Sequence, residues 1–413
     1  MNKRLLLASP HMSDEGYELE YIHDAFQKNW IAPLGENVNE FEKAMGEFMG
    51  KGYPVALSAG TAALHLAMIL AGVKAGDTVF CQSLTFSASA NPVAYCGAKP
   101  VFIDSERETW NMDPAALRRA FALHGTPKAV VVVHLYGNPA KLDEITAICR
   151  EHDVPLIEDA AEALGSTYNG QKCGTFGDFG ALSFNGNKII TTSGGGMLLC
   201  RTEDEAKHAL KLSTQARENA PWYQHEEIGY NYRMSNICAG IGRGQMTVVQ
   251  QHIDHHKHVQ ALYEELLKDV KGVTIHKQPS DSRYDSNFWL CTATLAPELH
   301  ILGQGNTYKE VVRTAVGGAA GVIRTVDSPI TDCQPNENVE ALRVFMLRKK
   351  VECRPVWKPM HKQPVYAEAP AYINGVSEEI FKEGVCLPAG PMVTDDDVHY
   401  IVDCIKEAII SDN

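Results

Sequence analysis

No CxxC pair occurs anywhere in the chain, although it carries 11 cysteines. Thiolate zinc sites and redox dithiols need such spacings, so neither is indicated. Scattered single cysteines suit free thiols in a reducing cytoplasm, which is the expected location. Long apolar runs are missing as well. Nothing approaches the roughly 18 apolar residues of a membrane span. The apolar stretch near the N-terminus is only Leu5-Leu6-Leu7, too short for the core of a secretory signal. Positive charge is scarce: 38 Lys and Arg against 51 Asp and Glu leave a net charge of −13. Binding a nucleic-acid backbone requires a basic face, so this balance argues against such a partner. It leaves room for a small anion held by a few local cations. The phosphate loop GxxxxGK[ST] is absent, and no GxGxxG follows the first strand, which removes an ordinary dinucleotide-binding reading. There is no internal repeat.

The chain does contain enough apolar sequence for a large core. Its 413 residues are 45% apolar and 22% charged, as in ordinary globular proteins of roughly two or three domains. Helix-like acidic patterning around Glu15–Lys28 is followed by a turn-rich piece at 30–35. From about residue 53, short apolar runs alternate with helical stretches: VALSAG before TAALHLAMILAGV, DTVFCQ before SASANPVAYCG, AVVVVHLYG before KLDEITAICREH, then VPLIEDAAEA. That alternation predicts an α/β fold with a mostly parallel, doubly wound sheet. Residues 178–200 read as two short strands joined by NGNKIITTSGG. A helix at 247–271 is expected to link this large domain, 1–250, to a smaller α+β domain, 251–413. The stretch 300–337, broken by GQG, VGGAAG and TDCQPNEN, reads as an insertion.

Three short segments bear chemistry. In Ser58-Ala59-Gly60-Thr61 a strand ends, a glycine allows close backbone approach, and a helix opens at a threonine competent to cap it. Free N–H groups and the helix dipole would face an anion there, although for the tetrapeptide alone a plainly capped helix is the default reading. Glu158-Asp159-Ala160-Ala161-Glu162 follows an apolar strand, where ligands bind in open α/β sheets. Asp159 there suits a salt bridge to a pyridinium nitrogen, a helix cap or a metal. Lys188 lies in SFNGNK before three glycines, Gly194 to Gly196. An imine-forming lysine needs a fixed position and a neutral amine, and neighbouring glycines leave space for a flat ring. A surface hairpin lysine is the plain alternative. The cluster His252, His255, His256 and His258 reads as a solvated helix face rather than a zinc site, because no carboxylate or cysteine motif accompanies it. Asp395-Asp396-Asp397 reads as the acidic start of a helix.

Taken in order, WIAPLG (30–35), SAGTAALHLA (58–67), SLTFSASANPVAYCGAKPVFID (83–104), IEDAAEALGSTY (157–168), GTFGDFGALSFNGNKIITTSGGGM (174–197), GYNYRMSN (229–236) and RPVWKPMHKQPVY (354–366) resemble the DegT-type sugar aminotransferases. These are pyridoxal 5'-phosphate (PLP) enzymes of fold type I, with the aspartate-aminotransferase architecture: a large domain around a seven-stranded-type sheet and a smaller C-terminal α+β domain. SFNGNKIITTSGGG with RPVWKPMH looks closest to the branch that aminates UDP-4-keto-6-deoxy-N-acetylglucosamine in bacillosamine-type pathways. The resemblance implies Lys188 as the Schiff-base lysine and Asp159 as partner of the pyridine nitrogen. It implies phosphate contacts at Gly60 and Thr61, a hydroxyl from Ser183 and ring stacking by Phe86. Glu162 stands near the ring hydroxyl, where many relatives have glutamine. Asn231 is expected to reach the phosphate in the neighbouring subunit of a homodimer. Arg233, Arg354, Trp357, Lys358 and His361 become candidates for the nucleotide-sugar, with glutamate as amino donor. Two rivals remain. Dehydratases on this fold tend to carry histidine in place of the lysine, and an idle nucleotide-sugar-binding homologue would be expected to lose Lys188 or Asp159. This chain has both residues.

Overall fold

The computed structural model describes residues 4–305, 311–313, 322–324 and 333–410. Seven strands build the large sheet: β1 (Tyr53–Leu57), β2 (Thr78–Gln82), β3 (Lys99–Ile103), β4 (Ala129–Val133), β5 (Leu156–Asp159), β6 (Phe179–Ser183) and β7 (Gly196–Cys200). The strands that follow include β8 (Val273–Ile275), β9 (Cys291–Leu295), β10 (Arg354–Pro355), β11 (Ala371–Tyr372) and β12 (Gly384–Leu387). The large sheet has the order β1-β7-β6-β5-β4-β2-β3, with β11 as an eighth strand on the outer edge of β3. Strand β7 is antiparallel to both neighbours, whereas β2, β3, β4, β5, β6 and β11 run parallel. Four of the short strands form the second sheet, β8-β9-β12-β10, antiparallel throughout.

Period-two alternation divides the large sheet's side chains between two cores. Phe80, Val130, Val132 and Leu182 enter one; Val79, Cys81, Val131 and Ala181 enter the other. Every residue of β4 is buried, which explains why AVVVV shows no polar alternation. The helix after β1, α1 (Gly60–Leu70), is apolar nearly all round because it is covered on several sides, with Ala62–Met68 buried. A third core lies on the second sheet. There, Tyr263 and Leu267 of the long helix α2 (Asn236–Leu267) meet Ile401 and Ile405 of the last helix, α3 (Asp395–Ala408).

The connecting helix begins well before the expected residue 247. Ser235 caps it by accepting the Cys238 N–H at 3.1 Å. The early turns were masked by Gly240, Gly242 and Gly244, which lower helix propensity. Those glycines serve packing: a Cβ at Gly244 would lie 2.5 Å from the Glu18 nitrogen, and one at Gly242 would lie 2.8 Å from the Phe41 ring. The histidines on α2 also depart from expectation. His258 is exposed, but His252 and His256 are buried and His255 is half-buried, because α2 is covered on that face too. The Asp395–Asp397 run does open α3: Thr394 is its N-cap, and Asp397 completes a capping box.

Two segments cross between the sheets' territories. Strand β11 returns from the C-terminal part to β3, and Leu5 pairs with Val351 near the second sheet. Within the expected insertion, Val311–Arg313 pairs with Val322–Arg324, and most of the remainder lies outside the described residues. Among the described residues no helix is long and apolar enough to cross a membrane.

Candidate active site

The C-terminal ends of β1, β2, β4, β5 and β6 open into one cavity of about 340 Å³. This is where an open parallel sheet places its ligands, since the loops diverge there and helix N-termini point inward. Gly60, Thr61, Phe86, Asp159, Glu162, Ser183, Lys188 and Trp357 all line it.

Helix α1 supplies the anion-binding wall. Its N-cap is Ala59 rather than Thr61, and no side chain caps it. The first N–H groups therefore have no capping side-chain partner and carry the positive end of the helix dipole. Two glycines allow the strands to crowd this helix start. A Cβ at Gly60 would sit 3.0 Å from the Ser183 Cβ, and one at Gly196 only 2.3 Å from the Ala59 carbonyl carbon and the Gly60 nitrogen. Gly196 thus serves the passage of β7 beneath the helix, while Gly194 and Gly195 line the cavity.

Strand alternation separates the two adjacent carboxylates at the end of β5. Glu158, fully buried, turns away from the cavity and accepts N–H groups from Gly174 at 2.8 Å and from Phe176 and Gly177 at 2.6 Å. His134 lies 2.9 Å from it through Nε2, and its Nδ1 accepts the Ala140 N–H at 3.2 Å, so the ring proton is on Nε2 and donates to Glu158. Asp159 faces the cavity. Its Oδ2 accepts the Ser89 hydroxyl at 2.6 Å, Ser89 meets the Thr85 hydroxyl at 2.7 Å, and Oδ1 takes the Ala161 N–H at 3.2 Å.

Glu162 and Lys188 meet across the cavity. Glu162 Oε2 accepts the Tyr136 N–H at 2.7 Å, and Oε1 lies 3.6 Å from Lys188 Nζ. Burial pushes the Glu162 carboxyl up, against the opposing pull of Lys188 and the Tyr136 N–H. On its other side Lys188 Nζ stands 4.0 Å from the Trp289 ring centre. Phe86 and Trp357, with ring centres 5.7 Å apart, form the rim, and the Trp357 N–H donates to Tyr136 Oη at 2.8 Å.

The other candidates lie elsewhere. Arg233 gives its guanidinium to Glu42 and to the Ala56 carbonyl at 3.0 Å, so its donors are directed away from the cavity. Arg354 pairs with Glu352 at 2.7 Å. His361 spans Ser83 at 2.7 Å and Glu378 at 3.2 Å. Neither these residues nor Lys358 line the cavity. Asn231 is exposed, paired through its backbone with Thr214. Conversely, Thr85, Ser89, Asn185, Asn187 and Trp289 belong to the site's surroundings without having been singled out. The first four lie inside segments already quoted for the resemblance, but Trp289 lies in FWLCTATL, which shows only a strand.

PLP fits this set of groups. Its phosphate matches the uncapped start of α1, its ring nitrogen matches an acceptor-only Asp159, and its aldehyde matches the Lys188 amine. Beside them, the buried Asn187 Oδ1 has no hydrogen-bond partner among the described residues. The fold and the site together define a PLP-dependent transferase.

The chain belongs to the DegT/DnrJ/EryC1/StrS aminotransferase family, whose model matches residues 13–307 and 323–406. It is 45% identical to EpsN of Bacillus subtilis (strain 168), which carries the name of a pyridoxal phosphate-dependent aminotransferase, over 98% of this chain and 96% of that one. A GDP-perosamine synthase of Caulobacter vibrioides is 34% identical over 98% and 99% of the two chains. Among solved structures, the aminotransferase TlmJ from Streptoalloteichus hindustanus superposes with a TM-score of 0.82, at 26% identity and 98% coverage of both chains. The protein is a PLP-dependent aminotransferase.

Proposed function

We propose that this enzyme transfers an amino group from glutamate to a nucleotide-linked keto-sugar, UDP-4-keto-6-deoxy-N-acetylglucosamine, and works in the cytoplasm as a homodimer. The observation that carries the reading is Lys188, retained and placed in one cavity with Asp159 and the start of α1. When bound, PLP supplies the electron sink that lets an amino acid's α-proton leave. The chain does the rest. Helix α1 binds the phosphate through its first N–H groups. Asp159, held from behind by Ser89 and Ala161, presents its charge to the ring nitrogen. Lys188 Nζ would take the proton from the donor's α-carbon and hand it on within the same half-reaction, and the second half-reaction would run these proton moves in reverse. Phe86 and Trp357 would cover the ring and restrict water. The cavity has room for a flat ring and the reacting end of a sugar, so the nucleotide would lie at the rim, where Trp357 offers an indole.

The substrate is tested by incubating the PLP-loaded enzyme with glutamate and UDP-, GDP- and dTDP-linked keto-sugars and identifying products by mass and NMR. Amination of the UDP sugar is expected. Preference for a GDP-linked sugar, which the GDP-perosamine synthase relative favours, would replace the nucleotide assignment; no amination of any would overturn the whole reading.

The homodimer rests on Asn231, exposed in a segment that also exposes Trp222, Tyr223 and Ile228. Such aromatic and aliphatic exposure marks a covered surface. Mixing Lys188→Ala and Asn231→Ala subunits gives heterodimers with one intact site, so activity should recover to roughly a quarter to a half of wild type. No recovery after verified exchange defeats the shared site.

A further inference from the structure

Lys188 is held from two sides by groups that the transfer of an amino group does not by itself require. On one side is the Glu162 carboxylate at 3.6 Å; on the other is the face of the Trp289 indole at 4.0 Å. An anion and an aromatic face both favour a cation between them. The indole is fixed in place by its Nε1, which donates to the Asn187 carbonyl at 2.6 Å, and the Trp289 backbone N–H donates to Asn287 Oδ1 at 2.9 Å. Asn287 in turn donates through Nδ2 to the carbonyls of Glu162 and Leu164, each at 3.0 Å. One side chain therefore ties the Trp289 turn to the backbone of Glu162, and the indole ties that turn to the residue preceding Lys188.

The identity of residue 162 matters to this arrangement. One oxygen of Glu162 is committed to the Tyr136 N–H at 2.7 Å. A glutamine there would have to use its only oxygen for that bond, which would turn its NH2 donor toward the lysine. A carboxylate satisfies Tyr136 and still presents an acceptor. Asp159, the other carboxylate on the cavity, has its oxygens turned to Ser89 and Ala161.

We propose that Glu162 and Trp289 form a seat for the protonated amine of Lys188, which holds the lysine in position once it has taken up a proton. The seat rests on the reading of Lys188 as the cofactor lysine. It makes Glu162 and Trp289 positioning residues: they keep the proton carrier at one spot between the two half-reactions rather than letting it swing into solvent.

The test uses the apo-protein and an amine-directed reagent, trinitrobenzenesulfonate. Labelling of the Lys188 peptide is followed by mass spectrometry relative to exposed Lys207. At pH 7.5, Glu162→Gln should label Lys188 roughly tenfold faster than wild type, because only the neutral amine reacts and the carboxylate that favours the cation is gone. Trp289→Leu should accelerate labelling by about two- to fivefold, and Trp289→Phe, which keeps an aromatic face, should return most of the protection. Near pH 11, where a larger share of both amines is neutral, the tenfold ratio should narrow to roughly threefold. Unchanged labelling in Glu162→Gln at pH 7.5 would overturn the seat. So would an acceleration that stays near tenfold at pH 11, since an unchanged ratio reports access rather than charge. Borohydride fixation of PLP separates the two claims: attachment to another lysine defeats the role of Lys188, whereas attachment to Lys188 with unchanged labelling defeats only the seat.

Discussion

Gly196→Ala tests the anion site through the backbone alone. A Cβ at Gly196 would lie 2.3 Å from the Ala59 carbonyl carbon and the Gly60 nitrogen, and 2.5 Å from the Ala59 oxygen. These are backbone atoms with no rotamer to yield, so β7 and the start of α1 must separate by about 1 Å to restore ordinary contact. Overpacking of this kind costs about 1–3 kcal/mol of stability. The same displacement carries the first N–H groups of α1 out of the 2.7–3.2 Å range of a hydrogen bond. Losing one such bond to a charged phosphate costs about 1.5–3 kcal/mol. The dissociation constant for PLP should therefore rise roughly 10- to 100-fold. The assay is an absorbance titration of apo-protein with PLP, paired with urea unfolding of the same apo samples. Gly186→Ala is the control, because its Cβ meets nothing within 4 Å; both readouts should stay at wild type. If Gly196→Ala lowers the unfolding midpoint as calculated yet binds PLP within twofold of wild type, the phosphate does not sit at the start of α1.

Asp159→Asn should keep the fold but slow the glutamate half-reaction roughly a hundredfold or more, since the preorganised charge facing the ring nitrogen is lost. Stopped-flow absorbance reads this, and a near-normal rate removes Asp159 from its role. Acid should destabilise the protein through His256 and His276, which burial pushes down to about 3 each. The unfolded chain binds both protons below about pH 6.5 while the native state does not, so stability is complete above that pH and falls as pH drops. The loss is about 4 kcal/mol between pH 7 and pH 5. Urea unfolding at the two pH values measures it, and His256→Leu should roughly halve the difference; an unchanged difference would acquit His256.

The parts of the site that were legible in the sequence are those built locally. Asp159, Glu162 and Ser183 fall at or just after strand ends, Gly60 and Thr61 open a helix after another strand, and Lys188 sits in the loop between two short strands. In each case the neighbouring residues already state the geometry. What was not legible depends on distant partners. Arg233 is engaged by Glu42, 191 positions away, and nothing in GYNYRMSN reveals it. Trp289 reaches Lys188 only because Asn287 is tied to Glu162 and Leu164, so a strand-like segment conceals a wall of the cavity. The α2 histidines failed for a related reason: helical spacing shows which residues share a face, but not what later covers it. The start of α2 was hidden by glycines whose purpose appears only when Glu18 and Phe41 are in place.

Strand β11 carries a consequence for how the molecule is made. Its residues 371–372 hydrogen-bond to residues 102–103, and Leu5 likewise awaits Val351. During synthesis the large sheet emerges with β3 as an open edge, a template for pairing with the wrong strand. That edge stays uncovered until nearly the whole chain has left the ribosome, and such late long-range closure is slow. A nascent chain stalled between the emergence of β7 and residue 371 therefore presents a nearly finished sheet with its sticky margin exposed. Truncation in this region should show itself as aggregation before it shows as lost chemistry.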